Sequence, residues 1–223
     1  MGKSVFKREE YKYILTEEQF GSLIDSIKAR LRPDTYGETT IQSLYFDTND
    51  YRLIRRSIEK PEYKEKMRLR GYGLATEDGE VFLELKKKCS GVVFKRRIKT
   101  TEKAVAVSEL QNSQIAKEIE YFFAFYGKLS PKMLILYDRI AFFGDGELRV
   151  TFDKNVRYRT ERLTLSDGLD GISLFDEPRI IMEIKSVMAM PLWLVRLLSD
   201  NKIYKTSFSK YGEAYKKEQL KIR

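Results

Sequence analysis

The sequence predicts an α+β fold in which eight or more antiparallel strands close, or nearly close, into a barrel with helices outside it. Three observations favour this class. Several stretches alternate charged and aliphatic residues, which is typical of strands with one apolar face. Most of these stretches are joined by turns of hairpin length, and few parallel crossovers are apparent. Several stretches with helical spacing are inserted between the strands.

The clearest alternation lies in residues 62–100, which predict three strands. Arg68 and Arg70 fall on one side of the first strand. In the second strand Glu84 and Lys86 alternate with aliphatic residues, so one face is charged and the other is apolar. A Ser-Gly turn leads to the third strand, which is again basic.

The other elements follow from local signals. Thr16 and Gln19 form a capping box, a Gly-Asp-Gly sequence at 144–146 predicts a hairpin turn, and Pro191 suits the first position of a helix. In chain order the remaining predictions are strand 4–15, helix 17–31, strand 39–47, a short helix within 48–59 capped by Thr48 or Asn49, a helical or irregular stretch 101–110, helix 113–126, strands 131–143, 147–153 and 156–162, loop 163–175, strand 178–187 and helix 209–221.

Composition limits the possible chemistry. With 42 Lys+Arg against 33 Asp+Glu, the formal charge of +9 favours an anionic partner. The absence of histidine excludes Ser-His-Asp and Cys-His nucleophile systems. Any metal would be a hard cation such as Mg²⁺ or Mn²⁺ held by carboxylates. A single cysteine, Cys89, permits no intrachain disulfide, so an intracellular location is expected.

The chain is expected to be soluble. Residues 1–10 lack the apolar region of a signal peptide. The most apolar window, residues 187–198, contains Pro191 and Arg196 and is shorter than the about 20 residues that a spanning helix needs.

The same acid-x-lysine pattern recurs in three predicted strands. The three instances are Glu10-x-Lys12, Glu84-x-Lys86 and Glu183-x-Lys185. Arginines add to them at Arg68, Arg70, Arg139 and Arg149. If the aliphatic sides pack against outer helices, the charged sides face one another across the barrel. The lysine and arginine side chains of such a lining would repel one another unless a bound anion neutralised them, so a ligand with several phosphates is expected. The alternative is that each pair is a solvated ion pair on an exposed face.

Nine short stretches of the chain resemble those of the VTC domain, the polyphosphate polymerase module of the vacuolar transporter chaperone complex, within the triphosphate tunnel metalloenzyme superfamily. They occur in the family's order and cover nearly the whole chain. The stretches are REEYKYIL (8–15), SLYFDT (43–48), KMRLRGYG (66–73), FLELKKK (82–88), VVFKRR (92–97), LYDRIAF (136–142), LRVTFD (148–153), IIMEIKS (180–186) and FSKYGEAY (208–215).

The resemblance implies one domain over residues 1–223, with an eight-stranded antiparallel tunnel and a closing helix at about 208–221. Such a tunnel would bind triphosphate and a glutamate-held Mn²⁺ or Mg²⁺, and would transfer the γ-phosphate of ATP to inorganic polyphosphate. The expected partners are therefore ATP and polyphosphate, together with a separate membrane protein. The expected location is the cytoplasm, or the cytoplasmic face of a membrane through that partner.

The resemblance also assigns roles residue by residue. The catalytic residues would be Arg68, Arg70, Lys86, Arg139 and Lys185. The phosphate-binding residues would be Lys12, Lys95, Arg96, Arg149 and Lys210, with the choice between Lys95 and Arg96 resting on strand register. The metal ligand would be Glu183, with Glu10 and Glu84 as weaker candidates.

Three other functions stay open. A triphosphatase or polyphosphatase of the same superfamily would use a similar tunnel and metal. Arg8-x-Glu10-x-Lys12, in place of an acidic Glu-x-Glu-x-Lys first strand, favours the VTC branch. A non-catalytic polyphosphate sensor would retain the same ligands. A nucleic-acid binder would need an exposed basic patch with stacking aromatics, against which the inward alternation argues; no nucleic-acid partner is expected.

Overall fold

The computed structural model describes residues 9–76, 78–90, 92–106 and 113–221. These residues pack into two compact units. The first comprises the described residues within Met1–Thr39, Tyr137–Val156 and Phe175–Phe208, and the second those within Thr40–Leu136, Arg157–Leu174 and Ser209–Arg223. The assignment of one functional domain to residues 1–223 stays a prediction.

Ten strands and six helices are present in the described residues. The strands are β1 (Glu9–Leu15), β2 (Arg32–Pro33), β3 (Thr39–Asp47), β4 (Tyr63–Tyr72), β5 (Val81–Cys89), β6 (Val92–Thr100), β7 (Ser130–Phe143), β8 (Arg149–Arg159), β9 (Ile172–Ser173) and β10 (Ile180–Ser186). The helices are α1 (Glu17–Lys28), α2 (Arg52–Ile58), α3 (Glu102–Ala106), α4 (Gln114–Tyr126), α5 (Leu192–Asp200) and α6 (Lys210–Lys221). The predicted antiparallel α+β class is confirmed.

The first unit is built on β1, β10, β8 and the C-terminal part of β7, in that spatial order. The pairings of β1 with β10 and of β10 with β8 are antiparallel. Helix α1 begins at the predicted capping box, in which the Thr16 hydroxyl accepts from the Gln19 amide and the Gln19 side chain accepts from the Thr16 amide. Its buried residues Leu23 and Ile27 join one apolar core with Val150 of β8. The apolar residues of these strands therefore have a helix to pack against.

The second unit contains the N-terminal part of β7 followed by β3, β4, β5 and β6. The pairings of β3 with β4, β4 with β5 and β5 with β6 are antiparallel. Leu83 and Leu85 of β5 are fully buried with Ile119 and Phe122 of α4 in one core. Because side chains alternate along a strand, burying these leucines places Glu84 on the opposite face of the sheet.

The predicted capping of the first short helix by Thr48 is confirmed, although Thr48 precedes the N-cap position. Helix α2 begins at Arg52, and its N-cap residue is Tyr51 in the left-handed conformation. The caps come from earlier in the chain, because the Asp47 carboxylate accepts from the Leu53 and Ile54 amides at 2.9 and 3.0 Å. The Thr48 hydroxyl accepts from the Arg52 amide. The side chains of Asp47 and Thr48 thus accept the hydrogen bonds from the first amides of α2, which in most helices are accepted by the N-cap residue itself.

Two further boundaries differ from the predictions. The strands predicted at 147–153 and 156–162 form the single strand β8. Asn155, between them, adopts a positive φ of 47° within the strand, a conformation that asparagine tolerates better than most residues. Pro191 is the N-cap residue of α5 rather than its first helical residue. The predictions for residues 4–8, Gly91 and 107–110 lie outside the described residues.

No helix within the described residues combines the length and apolar character needed to cross a bilayer.

Candidate functional site

One face of β4, β5 and β6 carries charged residues in cross-strand register. Arg68 pairs with Glu84, which in turn pairs with Arg97 of β6. Two residues along, Lys66, Lys86 and Lys95 are aligned across the same three strands. Residues directly opposite on neighbouring strands share a face. The predicted sidedness of Arg68, Arg70, Glu84 and Lys86 therefore corresponds to one continuous surface.

Glu84 is the centre of a cluster of four cations, which we call the Glu84 cluster. Its side chain is 2% exposed. The Nε and Nη2 atoms of Arg68 both lie 2.8 Å from Glu84 Oε2. Lys95 Nζ lies 2.6 Å from Oε1. The Nε atoms of Arg70 and Arg97 are more distant, at 3.8 Å from Oε2 and 3.6 Å from Oε1.

These cations control the ionisation of Glu84. Burial by itself raises the pKa of the carboxyl, but Arg68, Arg70 and Lys95 outweigh it and lower the pKa from 4.5 to about 2. Burial lowers the pKa of Lys95, while the Glu84 carboxylate opposes that shift. At neutral pH Glu84 is therefore a permanent anion that holds several guanidinium and ammonium groups in fixed positions.

The aligned lysines Lys66, Lys86 and Lys95 form what we call the lysine row. Like charges directly opposite on neighbouring strands are destabilising, and here three of them stand side by side. Lys66 donates to the Ser209 hydroxyl at 2.9 Å, at the start of α6. Lys86 and Lys95 are exposed. A bound polyanion would relieve the repulsion along this row.

Arg97 belongs to the Glu84 cluster although the sequence interpretation did not select it. Period-two spacing from Lys95 was the signal that could have identified it. Its guanidinium carbon lies 3.5 Å from the centre of the Phe82 ring. Arg96, which was selected, is on the other side of β6 and binds Glu118 of α4 with Nε 2.9 Å from Oε2. The structure therefore separates Arg96 from the cluster.

A hydrogen-bonded and stacked series connects α6 to the Glu84 cluster. The Tyr211 hydroxyl donates to Asp47 Oδ2 at 3.0 Å, and both side chains are buried. The Tyr211 ring stacks on Tyr45 at a centroid distance of 4.5 Å. Arg68 Nη1 donates to the Tyr45 hydroxyl at 3.1 Å. Lys210, the remaining predicted phosphate ligand of this unit, is the first residue of α6 and is partly buried.

Replacing Tyr211 by phenylalanine should lower the free energy of unfolding by about 2 kcal/mol, because the buried carboxylate of Asp47 loses the hydrogen bond that the Tyr211 hydroxyl donates to it. Urea denaturation of the variant measures this loss. Tyr204→Phe is the control, since Tyr204 is 76% exposed and the change should be nearly neutral. Equal stability of the two variants would contradict a stabilising role for the Tyr211–Asp47 bond.

A second cluster lies on β1, β10, β8 and β7 of the first unit. Glu10 pairs with Lys185 in the strand register, and Lys12 pairs with Glu183. Lys12 Nζ lies 3.3 Å from Glu10 Oε1 and 3.6 Å from Glu183 Oε1. Lys185 Nζ lies 3.5 Å from Glu10 Oε2 and 3.7 Å from Glu183 Oε2. The two acids and two lysines thus alternate around a ring, which we call the Glu183 ring.

Arg139 and Asp153 stand beside this ring. The Arg139 guanidinium donates from Nε and Nη2 to the two oxygens of Asp153 at 2.6 and 2.8 Å. Its Nη2 also lies 4.0 Å from Glu183 Oε2. Arg149 pairs with Lys185 in the register, and its guanidinium carbon lies 5.0 Å from the centre of the Phe143 ring. Burial opposes the charge of Arg139, but Tyr137, Asp153 and Glu183 raise its pKa well above the usual value.

The donor chemistry of the Glu183 ring fits a hard divalent cation. Glu10 and Glu183 supply carboxylate oxygens from neighbouring strands, and Mg²⁺ is commonly held by one or two carboxylates together with substrate phosphates and water. No three metal-ligating side chains converge in the part of the chain that the structure describes. Glu84 is less suited to a metal, because Arg68 and Lys95 already contact its two oxygens at 2.8 and 2.6 Å, whereas Lys12, Lys185 and Arg139 lie 3.6, 3.7 and 4.0 Å from the oxygens of Glu183.

Comparison with known proteins gives one family match. The model of the VTC domain family matches residues 7–218, which is nearly the whole chain. None of the curated proteins compared with the chain matches it.

Solved structures resemble the chain at low sequence identity. A proposed adenylyl cyclase from Hippeastrum with a dominant triphosphatase activity has a TM-score of 0.57 and 15% identity, over 92% of this chain and 93% of that one. A Pyrococcus horikoshii protein has a TM-score of 0.51 and 12% identity, over 96% and 99%. A proposed adenylate cyclase from Vibrio parahaemolyticus gives 0.50 and 12%, over 93% and 97%. At these identities the likeness shows the fold.

Proposed function

The chain belongs to the VTC domain family, and on that premise we propose that it is a polyphosphate polymerase, which transfers the γ-phosphate of ATP to a growing inorganic polyphosphate chain. The observation that supports this most strongly is the charge of the β4–β6 face. Among the described residues of that face, Lys66, Arg68, Arg70, Lys86, Lys95 and Arg97 lie close to Glu84 in the strand register, so cations outnumber carboxylates there. Such an excess suits a ligand with several phosphates.

The arginines of the Glu84 cluster are positioned for phosphate oxygens. Arg68 and Arg70 are oriented by Glu84, and Arg97 is held against the Phe82 ring. Guanidinium groups bind phosphate through paired N–H donors, whereas lysines act as point charges. In this proposal the arginines bind the triphosphate of ATP, and the lysine row binds phosphates of the polymer.

Phosphoryl transfer suits a site without histidine. A terminal oxygen of the polyphosphate chain, already ionised, forms a bond to the γ-phosphorus of ATP. The bond from that phosphorus to the β–γ bridging oxygen breaks, and ADP leaves with the electron pair. No proton must be removed from the acceptor, so positioning and charge neutralisation supply the catalysis.

The Glu183 ring of the first unit is proposed to bind a divalent cation. Glu183, with Glu10, would hold Mn²⁺ or Mg²⁺, which would neutralise phosphate charge when bound. Lys12, Lys185 and Arg139 surround these carboxylates and would contact phosphate oxygens. Four cations, Lys12, Arg139, Arg149 and Lys185, accompany three acids, Glu10, Asp153 and Glu183. This near balance favours a metal-binding role, in contrast to the strongly cationic Glu84 cluster.

The products formed from ATP test the proposal. Purified protein is incubated with ATP and Mn²⁺ or Mg²⁺, ADP and orthophosphate are quantified, and polyphosphate is separated on a gel. A polymerase should release ADP without equivalent orthophosphate and should form long polymer. Release of orthophosphate without polymer would contradict it.

A triphosphatase is the second candidate. The observation in its favour is the fold shared with the Hippeastrum protein, which has a dominant triphosphatase activity. It would use the same basic residues but would give water access to the terminal phosphate. Orthophosphate as the main product, in the experiment above, would favour it. A membrane partner and a position at a membrane stay predictions from the family resemblance.

A further inference from the structure

The charged face of β4 and β5 extends beyond the lysine row. Lys64 pairs with Lys88 in the strand register, on the same side as Lys66 and Lys86. We call this pair the outer lysine pair. Successive residues on one side of a strand are about 6.8 Å apart, so the outer lysine pair lies about 14 Å along the strands from Glu84. Basic residues therefore continue in one direction away from the Glu84 cluster.

The outer lysine pair has no acidic counterpart within the described residues. Lys64 Nζ donates to the carbonyl of Ser57 at 3.4 Å, and Lys88 is exposed. Neighbouring lysines differ in this respect, since Lys87 pairs with Glu65 at 3.5 Å on the other face of β5. Burial and the positive charges of Lys88 and Lys60 lower the pKa of Lys64. Like charges thus face each other here as they do in the lysine row.

We propose that Lys64 and Lys88 form a distal subsite for polyphosphate, which binds phosphates of a long chain whose other end occupies the Glu84 cluster. This deepens the proposed function by assigning a path to the polymer. A triphosphate anchored at Arg68 ends before the outer lysine pair, whereas a longer chain reaches it across the lysine row. The chemistry recognised is a flexible chain of phosphates, and each ammonium group contributes as a point charge.

The test compares short and long ligands in the Lys64→Gln/Lys88→Gln variant. Affinities for tripolyphosphate and for long-chain polyphosphate are measured by calorimetry at several salt concentrations. We expect affinity for the long chain to fall about tenfold, and tripolyphosphate affinity to fall much less. The slope of log affinity against log salt for the long chain should decrease by about 1 to 2, because two phosphate contacts are lost.

The matched control is Lys117→Gln/Lys128→Gln, which removes the same charge from two exposed lysines on and after α4. An equal loss in this control would overturn the proposal, since net charge alone would explain it. The proposal would also be overturned if the Lys64→Gln/Lys88→Gln variant lost affinity for tripolyphosphate and for long-chain polyphosphate by the same factor. It would likewise be overturned if this variant lost affinity for single-stranded DNA by the same factor as for long-chain polyphosphate. Wild-type protein that binds neither phosphate ligand would contradict the proposed function as well. If the wild type forms ADP and polymer but binds tripolyphosphate and long-chain polyphosphate with equal affinity, the proposed function stands and the distal subsite is overturned.

Discussion

Replacing Glu183 by glutamine should lower the rate of polyphosphate synthesis about 100-fold or more, while the protein still binds polyphosphate. Glutamine keeps the size of the side chain but removes the charge that a divalent cation requires. The lysines of the Glu183 ring, Lys12 and Lys185, would keep Glu10 as an anionic partner, so the strands should still fold. Steady-state ADP release, together with titration of Mn²⁺ binding, measures both effects.

Glu177→Gln is the control for this variant. Glu177 is exposed and pairs with the nearby Arg179, so its loss should leave both rate and Mn²⁺ affinity unchanged. Activity of Glu183→Gln close to that of the wild type would remove Glu183 from the proposed metal site. A large fall in polyphosphate binding would instead indicate that Glu183 mainly orders the surrounding cations.

Replacing Glu84 by glutamine should lower the free energy of unfolding by about 3 to 5 kcal/mol. The reason is that four cations then surround a buried neutral amide. Tripolyphosphate should recover more stability in this variant than in the wild type, because the added anion replaces the missing charge. Urea denaturation with and without tripolyphosphate gives both values.

The same interaction predicts a pH dependence. The pKa of Glu84 is lowered from 4.5 to about 2 in the folded state. A lowered carboxyl pKa stabilises the folded state above the unfolded pKa, and this contribution is lost as pH falls through the folded pKa. The wild type should therefore lose about 3 kcal/mol from this group between pH 4.5 and 2. The Glu84→Gln variant should lack that component of its acid denaturation curve.

Glu118→Gln provides the comparison for Glu84. Glu118 binds Arg96 on the other side of β6 and is more exposed, so its replacement should cost less than about 1 kcal/mol. If Glu84→Gln and Glu118→Gln lower the free energy of unfolding by similar amounts, the four cations around Glu84 do not stabilise the fold more than a single exposed ion pair does.

The charged face of β4–β6 could be predicted because the alternation of side chains along a strand depends only on residues that are close in the sequence. Alternation in the sequence placed Arg68 and Arg70 together and separated Glu84 from its aliphatic neighbours, and the register brings them to one surface. The alternation in β6 was harder to interpret, because Lys95, Arg96 and Arg97 are consecutive cations. Only burial against α4 decides which of them faces the helix, and the sequence of the strand does not contain that information.

Long-range contacts were beyond prediction for a related reason. The Tyr211–Asp47 hydrogen bond joins residues 164 positions apart. Asp47 ends the predicted strand 39–47, and the structure shows that it also caps α2 and accepts a hydrogen bond from Tyr211 of α6. Nothing in the local sequence around Asp47 or Tyr211 specifies the other residue as its partner. The sheet register and the packing of α6 bring the two side chains together.

The fate of the γ-phosphate of ATP distinguishes a polyphosphate polymerase from a hydrolase. Wild-type protein is incubated with ATP labelled at the γ-phosphate, or in parallel at the α-phosphate, and the products are separated by chain length. For a polymerase, we expect the γ label to accumulate in polymers of increasing length while the α label stays in nucleotide. Release of the γ label as orthophosphate, with no labelled polymer at any time, would contradict the assignment of polyphosphate polymerase.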